Sequence, residues 1–188
     1  MLNTFRPAIV LFVLLTALTG IAYPLAMTGI GQALFATAAN GSPIVREGRV
    51  VGSALIGQNF TRNEYFWGRP SAAGDGYNAR SSSGSNLGPS SQALADRVRA
   101  EAARYGVTAS QIPVDLLTTS GSGLDPHISP EAARFQVARV AEARNLPVGE
   151  LMRLIQAHTE PAIGGVLGEA RVNVLLLNVA LDDLATRG

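Results

Sequence analysis

Asp125 and His127, with Ser120 and Ser122 just upstream, are the side chains of this chain whose types and spacing most suggest chemistry. A carboxylate, an imidazole and a hydroxyl are the parts of a nucleophilic triad: the carboxylate orients the imidazole, and the imidazole takes the hydroxyl proton. Here all of them lie in one stretch, Thr118 to Pro130, which reads Thr-Thr-Ser-Gly-Ser-Gly-Leu-Asp-Pro-His-Ile-Ser-Pro. That crowding argues against catalysis, because a triad gathers its members from separated elements and no Gly-x-Ser-x-Gly elbow is present. The same residues read better as a shaped loop. Gly121 and Gly123 permit close backbone approach and positive φ, Asp125-Pro126 holds the approach to His127 extended, and Ser129-Pro130 starts a helix with Ser as N-cap. Ser120, Gly121, Ser122, Gly123, Asp125 and His127 are therefore the candidate functional residues, in a structural or partner-contact role, and no catalytic residue is expected.

Metal and phosphate chemistry are poorly served. His127 and His158 are the only imidazoles, and neither sits in a His-Glu-x-x-His or His-x-His arrangement. Cysteine is absent, which excludes disulfides, thiolate-bound metals and thiol catalysis. Every basic side chain is Arg. Without a Lys there can be no Walker A phosphate loop, no Schiff base and no protein-kinase site; codon usage in a GC-rich genome accounts for the deficit. The Ser120–Gly123 amides or the helix start at Pro130 could hold an anion, but such sites are generic. A net charge of +1, from 15 basic and 14 acidic residues, leaves no electrostatic footprint for nucleic acid.

The elements that must position this loop begin with an anchor. No charged side chain occurs between Arg6 and Arg46, and the apolar run from about residue 8 to residue 28 is long enough for one bilayer-spanning helix, with Pro24 near its outer end. Residues 1–40 are read as this anchor and residues 41–188 as one soluble domain. Ala36-Thr37-Ala38 fits a signal-cleavage site, but the uncharged region far exceeds an ordinary signal-peptide core, so a retained anchor is expected. A short N-terminal tail left inside places the domain outside, in the periplasm of a cell with an inner membrane. Thr16, Thr19 and Thr28 are the polar residues available on the helix and can bond its own backbone, so it does not supply an ion path. Thr16, Ala17 and Gly20 offer a small-residue face for a neighbouring helix.

Within the domain, Ile44 to Val51 reads as a hairpin around Glu47-Gly48, and Gly52 to Phe60 as a further strand. Phe60, Tyr65, Phe66, Trp67 and Tyr77 are expected in the core. A segment rich in Gly, Ser, Asn and Pro follows, from Gly68 to Pro89, of the length usually reserved for function or disorder. A helix is predicted from Ser90 to the C-cap Gly106. After a turn at Thr108–Pro113, a strand at Val114–Thr118 leads into the loop. Further helices are predicted from Pro130 to Arg144, from Pro147 to Ala157 and from Val172 to Leu184. The fold class is α+β: a single N-terminal transmembrane helix followed by one small mixed domain.

Four blocks carry a resemblance. Tyr65–Ala72 (Tyr-Phe-Trp-Gly-Arg-Pro-Ser-Ala), Ser83–Pro89 (Ser-Gly-Ser-Asn-Leu-Gly-Pro), the Thr118–Pro130 loop and Gly168–Leu175 (Gly-Glu-Ala-Arg-Val-Asn-Val-Leu) follow one another behind one hydrophobic segment. In that order the chain resembles the KdpC family of the Kdp potassium-transporting P-type ATPase over nearly its whole length. The resemblance implies an accessory, non-catalytic subunit in the inner membrane, assembled with a potassium-channel-like subunit and the P-type ATPase subunit. It also implies a catalytic chaperone that raises the ATP affinity of the hydrolysing subunit, with no cofactor of its own and ATP available only through the complex. Two other readings stand beside it: a membrane-anchored exported hydrolase using Asp125 and His127, and an exported binding domain released by signal cleavage.

Overall fold

The computed structural model of the chain describes residues 2–185. It divides into two compact units, Met1–Val51 and Gly52–Gly188. The first is dominated by one long helical run: α1 (Leu2–Ala17), a π-helical turn (Leu18–Ala22) and α2 (Tyr23–Leu34). The turn has an identifiable cause. Pro24 has no N–H for the carbonyl one turn back, and the chain widens just before it so that the Tyr23 N–H reaches Leu18 O, five residues back. Thr19 Oγ1 donates to Leu15 O at 2.7 Å, as expected of a hydroxyl in an apolar helix.

The stretch Phe5–Leu34 is 30 residues of apolar helix, long enough to cross a membrane by length and composition. It outruns the expected end near residue 28 because nothing between Met27 and Leu34 stops a helix; Phe35, at φ −136°, does. The short helix α3 (Ala36–Ala39) follows. The hairpin of β1 (Pro43–Arg46) and β2 (Arg49–Ser53) turns at Glu47 and Gly48, both at positive φ, the two-residue turn the sequence predicts.

In the second unit, α4 (Gln92–Tyr105) ends on Gly106 in the left-handed region at φ 68°, as expected. It is followed by β3 (His127–Ile128), α5 (Pro130–Phe135), α6 (Val137–Arg144), α7 (Val148–Ala157), β4 (Thr159–Glu160), β5 (Arg171–Asn173) and α8 (Val174–Ala185). The three strands form an antiparallel sheet of order β3-β5-β4, with Ile128 opposite Val172 and Thr159 opposite the same residue. The core gathers Phe66, Leu116, Val140, Leu151, Ile155, Val172, Leu177 and Leu181 from the helices, the central strand and the aromatic block.

Several expectations give way. Val114–Leu116 is a 3-10 turn rather than a strand, with Thr118 Oγ1 folded back onto Val114 O at 2.8 Å; the strand of this region is β3, inside the loop itself. Beyond Ser53 the chain leaves β2, because Leu55 N–H bonds to Ser53 Oγ and Gly57 N–H to Leu124 O instead of to a neighbouring strand. The helix predicted from Pro130 to Arg144 breaks at Gln136, whose N–H reaches Ala133 O while its side chain turns inward. Val172 and Asn173 belong to the central strand. The last helix begins only after Asn173, whose Oδ1 accepts from Leu176 N–H in the manner of an N-cap.

Candidate functional site

Ser129 accepts from Ala132 N–H at 3.0 Å and so caps α5, fixing where the loop ends. Asp115 completes that end: its carboxylate takes Ser129 N–H at 2.7 Å and Ser129 Oγ at 3.3 Å. The helix start is thus already occupied by protein oxygens, and the anion site open to it in the sequence is spent internally. At the other end of the loop, Arg69 donates to the carbonyls of Thr118 (3.4 Å) and Thr119 (3.2 Å) and faces Asp125 at 3.5 Å.

The two glycines of the loop are not equivalent. Gly123 sits at φ 68°, and a Cβ there would lie 2.5 Å from Ser83 O and 2.7 Å from Ala73 N, both backbone atoms; a Cβ on Gly121 would meet nothing within 4 Å. Around Gly123 three of the sequence blocks are stitched together. Ser71 Oγ donates to Gly123 O at 2.6 Å and accepts from the N–H groups of Ala73 and Tyr77. Ser83 N–H bonds to Ser122 O at 2.9 Å, and Ser82 Oγ to the same carbonyl at 3.0 Å. Tyr77 Oη then returns to Arg69 O at 2.5 Å, and burial, helped by the Asp125 charge, pushes its phenol up to about 12. The long segment after Gly68 therefore has few regular hydrogen bonds but a definite course over the loop.

Asp125 and His127 do meet. The carboxylate takes both His127 N–H (2.9 Å) and the ring Nδ1 (3.2 Å) on Oδ1, while Arg69 faces Oδ2. Burial alone would raise the Asp125 carboxyl, but the His127 hydrogen bonds and the His127 and Arg69 charges outweigh it and hold it below the usual carboxylate range. Neither serine completes a triad. Ser120 Oγ lies 3.5 Å from Ser122 Oγ, Ser122 Oγ accepts from Leu124 N–H, and neither hydroxyl bonds His127. A hydroxyl with no base partner is not an activated nucleophile. His158 is elsewhere, with Nδ1 against Leu154 O at 2.9 Å, and no group of three metal-binding side chains forms among the described residues.

The fourth block closes the arrangement from behind. Asn173 lies opposite His127 in the sheet, Val174 N–H bonds to Pro126 O, and Asn173 Nδ2 donates to Ala54 O. Two buried amides, missed in the sequence, hold the aromatic block: Asn178 pairs with both the N–H (2.9 Å) and the carbonyl (3.0 Å) of Phe66, and Gln136 does the same for Trp67 at 2.7 and 3.0 Å. An Asn or Gln among apolar residues of a helix was the available signal. Phe66 and Trp67 are buried as expected, while Phe60, Tyr65 and Tyr77 are half-buried. Arg139 stacks 3.8 Å from the Trp67 ring centre and donates to Asn63 O and Tyr65 O; burial lowers its guanidinium to about 10.

Beside the loop runs an open cleft of about 640 Å3 lined by Arg69, Asp115, Asp125, His127, Glu131 and Arg171, among others. Carboxylates outnumber guanidinium groups along it, and Arg69 is already committed, so it is unsuited to a phosphate. What the arrangement can do is hold a shape: a loop fixed on both sides, presenting His127 and its acidic surroundings on a surface.

Comparisons with known proteins agree on one family. The family described as KdpC, K+-transporting ATPase, c chain, matches residues 5–183. A relative in Methylorubrum extorquens named "Potassium-transporting ATPase KdpC subunit" is 56% identical, covering 100% of both chains. Proteins of the same name in Polaromonas naphthalenivorans and Rhodopseudomonas palustris are 57% and 54% identical, over 98% and 100% of this chain and 96% and 100% of theirs.

Proposed function

The chain belongs to the KdpC family of K+-transporting ATPases, and from that premise we propose that it works as a non-catalytic assembly subunit, held in the inner membrane by the Phe5–Leu34 helix with its second unit on the periplasmic side. Its partners are the potassium-channel-like subunit and the P-type ATPase subunit. It stabilises their complex and raises the affinity of the hydrolysing subunit for ATP without binding a cofactor itself. The observation that carries this reading is the Thr118–Pro130 loop, whose polar groups are spent on fixing its own shape: Asp125 on His127 and Arg69, Ser122 on Leu124, Ser129 on the helix start. Such a loop offers a rigid surface and no activated group.

Because ATP is on the cytoplasmic side, the effect on nucleotide affinity reaches the ATPase subunit through the assembled complex. Gly121, Ser122, Asp125 and His127 are the residues through which the domain presents its contact surface, while the buried Ser120 and Gly123 hold the loop from beneath. The test uses the purified complex with and without this chain, and with His127→Ala. The reading expects a lower KM for ATP when the chain is present and potassium-stimulated turnover that survives His127→Ala. Loss of all activity in the variant while the complex stays assembled would favour the hydrolase instead. Topology is testable cleanly, because the chain has no cysteine. A single Cys placed at exposed Ser90 should react with a membrane-impermeant maleimide added outside intact spheroplasts; labelling only after lysis would place the domain inside.

A further inference from the structure

From Pro161 to Gly168 the chain reads Pro-Ala-Ile-Gly-Gly-Val-Leu-Gly, without a charged side chain. It forms a small hairpin in which Ile163 and Leu167 exchange backbone hydrogen bonds of 2.9 and 3.1 Å, and Gly164 and Gly165 turn at positive φ. The hairpin is mounted on the strands β4 and β5, where Glu160 lies opposite Arg171 and pairs with it at 3.0 Å. Its tip is apolar in the wrong place for a core. Ile163, Val166 and Leu167 are 68%, 85% and 69% exposed. The glycines alone satisfy the turn, so nothing in the fold requires aliphatic side chains there, and a cluster of this kind on a projecting turn marks a surface meant to be covered.

We propose that this hairpin is a docking finger, inserted into an apolar depression with a basic rim on another polypeptide of the same pump. The proposal rests on the reading of the chain as a pump subunit. The charge around the finger selects the occupant. Glu160 is already neutralised by Arg171, but Glu169, at the base of the finger, has no hydrogen-bond or ion-pair partner among the described residues, so its carboxylate is the charge left to complement a guanidinium or ammonium group. A bilayer fits it worse. Residues 161–168 include no Trp, Tyr, Lys or Arg to sit at the headgroups, and the uncompensated Glu169 carboxylate would face lipid phosphates. A second copy of this chain also fits worse, because a two-fold contact through the tips brings the two unpaired Glu169 carboxylates together.

The experiment places a photoreactive amino acid at Val166 of the full chain, irradiates the assembled complex in native membranes and identifies the adduct by mass. The expected adduct is with one of the two large pump subunits. Adducts with lipid alone, or with a second copy of this chain, would overturn the proposal. In parallel, the triple variant Ile163→Thr, Val166→Ser, Leu167→Thr should recover the large subunits about 10-fold less well in affinity purification, the loss expected of truncated anchor residues at an interface. Its unfolding midpoint should stay that of the wild type, since these side chains contribute nothing to the core. Undiminished recovery would refute the finger while leaving the subunit reading intact. A wild-type chain that recovers no pump subunit would overturn both, and the two failures are distinguished by the wild-type lane.

Discussion

Replacing Gly123 with Ala is the sharpest test of how the loop is held. The backbone there is left-handed at φ 68°, which costs a residue bearing a Cβ about 1–2 kcal/mol. The added carbon would lie 2.5 Å from Ser83 O and 2.7 Å from Ala73 N. Both are main-chain atoms, so relief requires moving one segment away from another. That movement loosens the bonds from Ser71 Oγ to Gly123 O and from Ser83 N–H to Ser122 O, each worth about 1 kcal/mol. The sum is about 3–4 kcal/mol, a large share of the ~5–15 kcal/mol typical of a domain, and it should lower the melting midpoint by roughly 10 °C. Gly121→Ala is the matched control, with no atom within 4 Å of the new carbon, and should change stability by less than about 0.5 kcal/mol. Trp67, the single Trp, lies buried against the loop's support and reports unfolding by its fluorescence in urea, on the full chain in a mild detergent. Equal losses for the two variants would refute the reasoning, since only Gly123 has both a left-handed backbone and main-chain atoms against the new carbon.

Asn178→Leu should cost about 3 kcal/mol in the same assay, because it leaves the buried N–H and carbonyl of Phe66 without partners; a loss below about 1 kcal/mol would mean these groups find others. On the alkaline side, Tyr77 and Tyr105 are raised from 10.0 to about 12 by burial. Their contribution is present below pH 10 and is lost as pH rises from 10 to 12, because only the unfolded chain ionises in that window. Arg139, lowered to about 10, opposes them as one group against two, so urea midpoints should fall between pH 10 and 12, and a flat profile would count against the burial of the phenols. On the acid side, the depressed Asp125 carboxyl contributes stability above the ordinary Asp value of about 3.9 that is lost as pH falls through its lower folded value. Asp125→Asn should flatten that limb, and an unchanged acid limb would show the carboxylate to be unimportant.

Helices with local signals were readable in the sequence: Ser129-Pro130 starts one and Gly106 ends another, each in the capping or left-handed geometry its residue type favours. The hairpin at Glu47-Gly48 was readable for the same reason. What was not readable depends on distant partners. The strands β3 and β5 have two and three residues, too few to show a period, and exist because they pair with each other. The break at Gln136 follows from a side chain committed to Trp67, far away in sequence. Of the loop, the membership of Asp125 and His127 in one cluster was legible from their spacing, whereas the roles of Arg69, Ser71 and Asp115 come from other segments folding onto it. Gly121 and Gly123 look alike on paper; the left-handed turn at Gly123 and the approach of Ser83 and Ala73 separate them.

If this chain is a retained, accessory part of a larger pump, it should leave the membrane whole and in company. Affinity purification from native membranes in a mild detergent, with the intact mass of the chain and the masses of its companions read from one sample, examines both conditions at once. The expected result is the chain at uncleaved mass together with the two large subunits of the potassium-transporting ATPase. A chain recovered alone, or shortened by cleavage after Ala38, would contradict it.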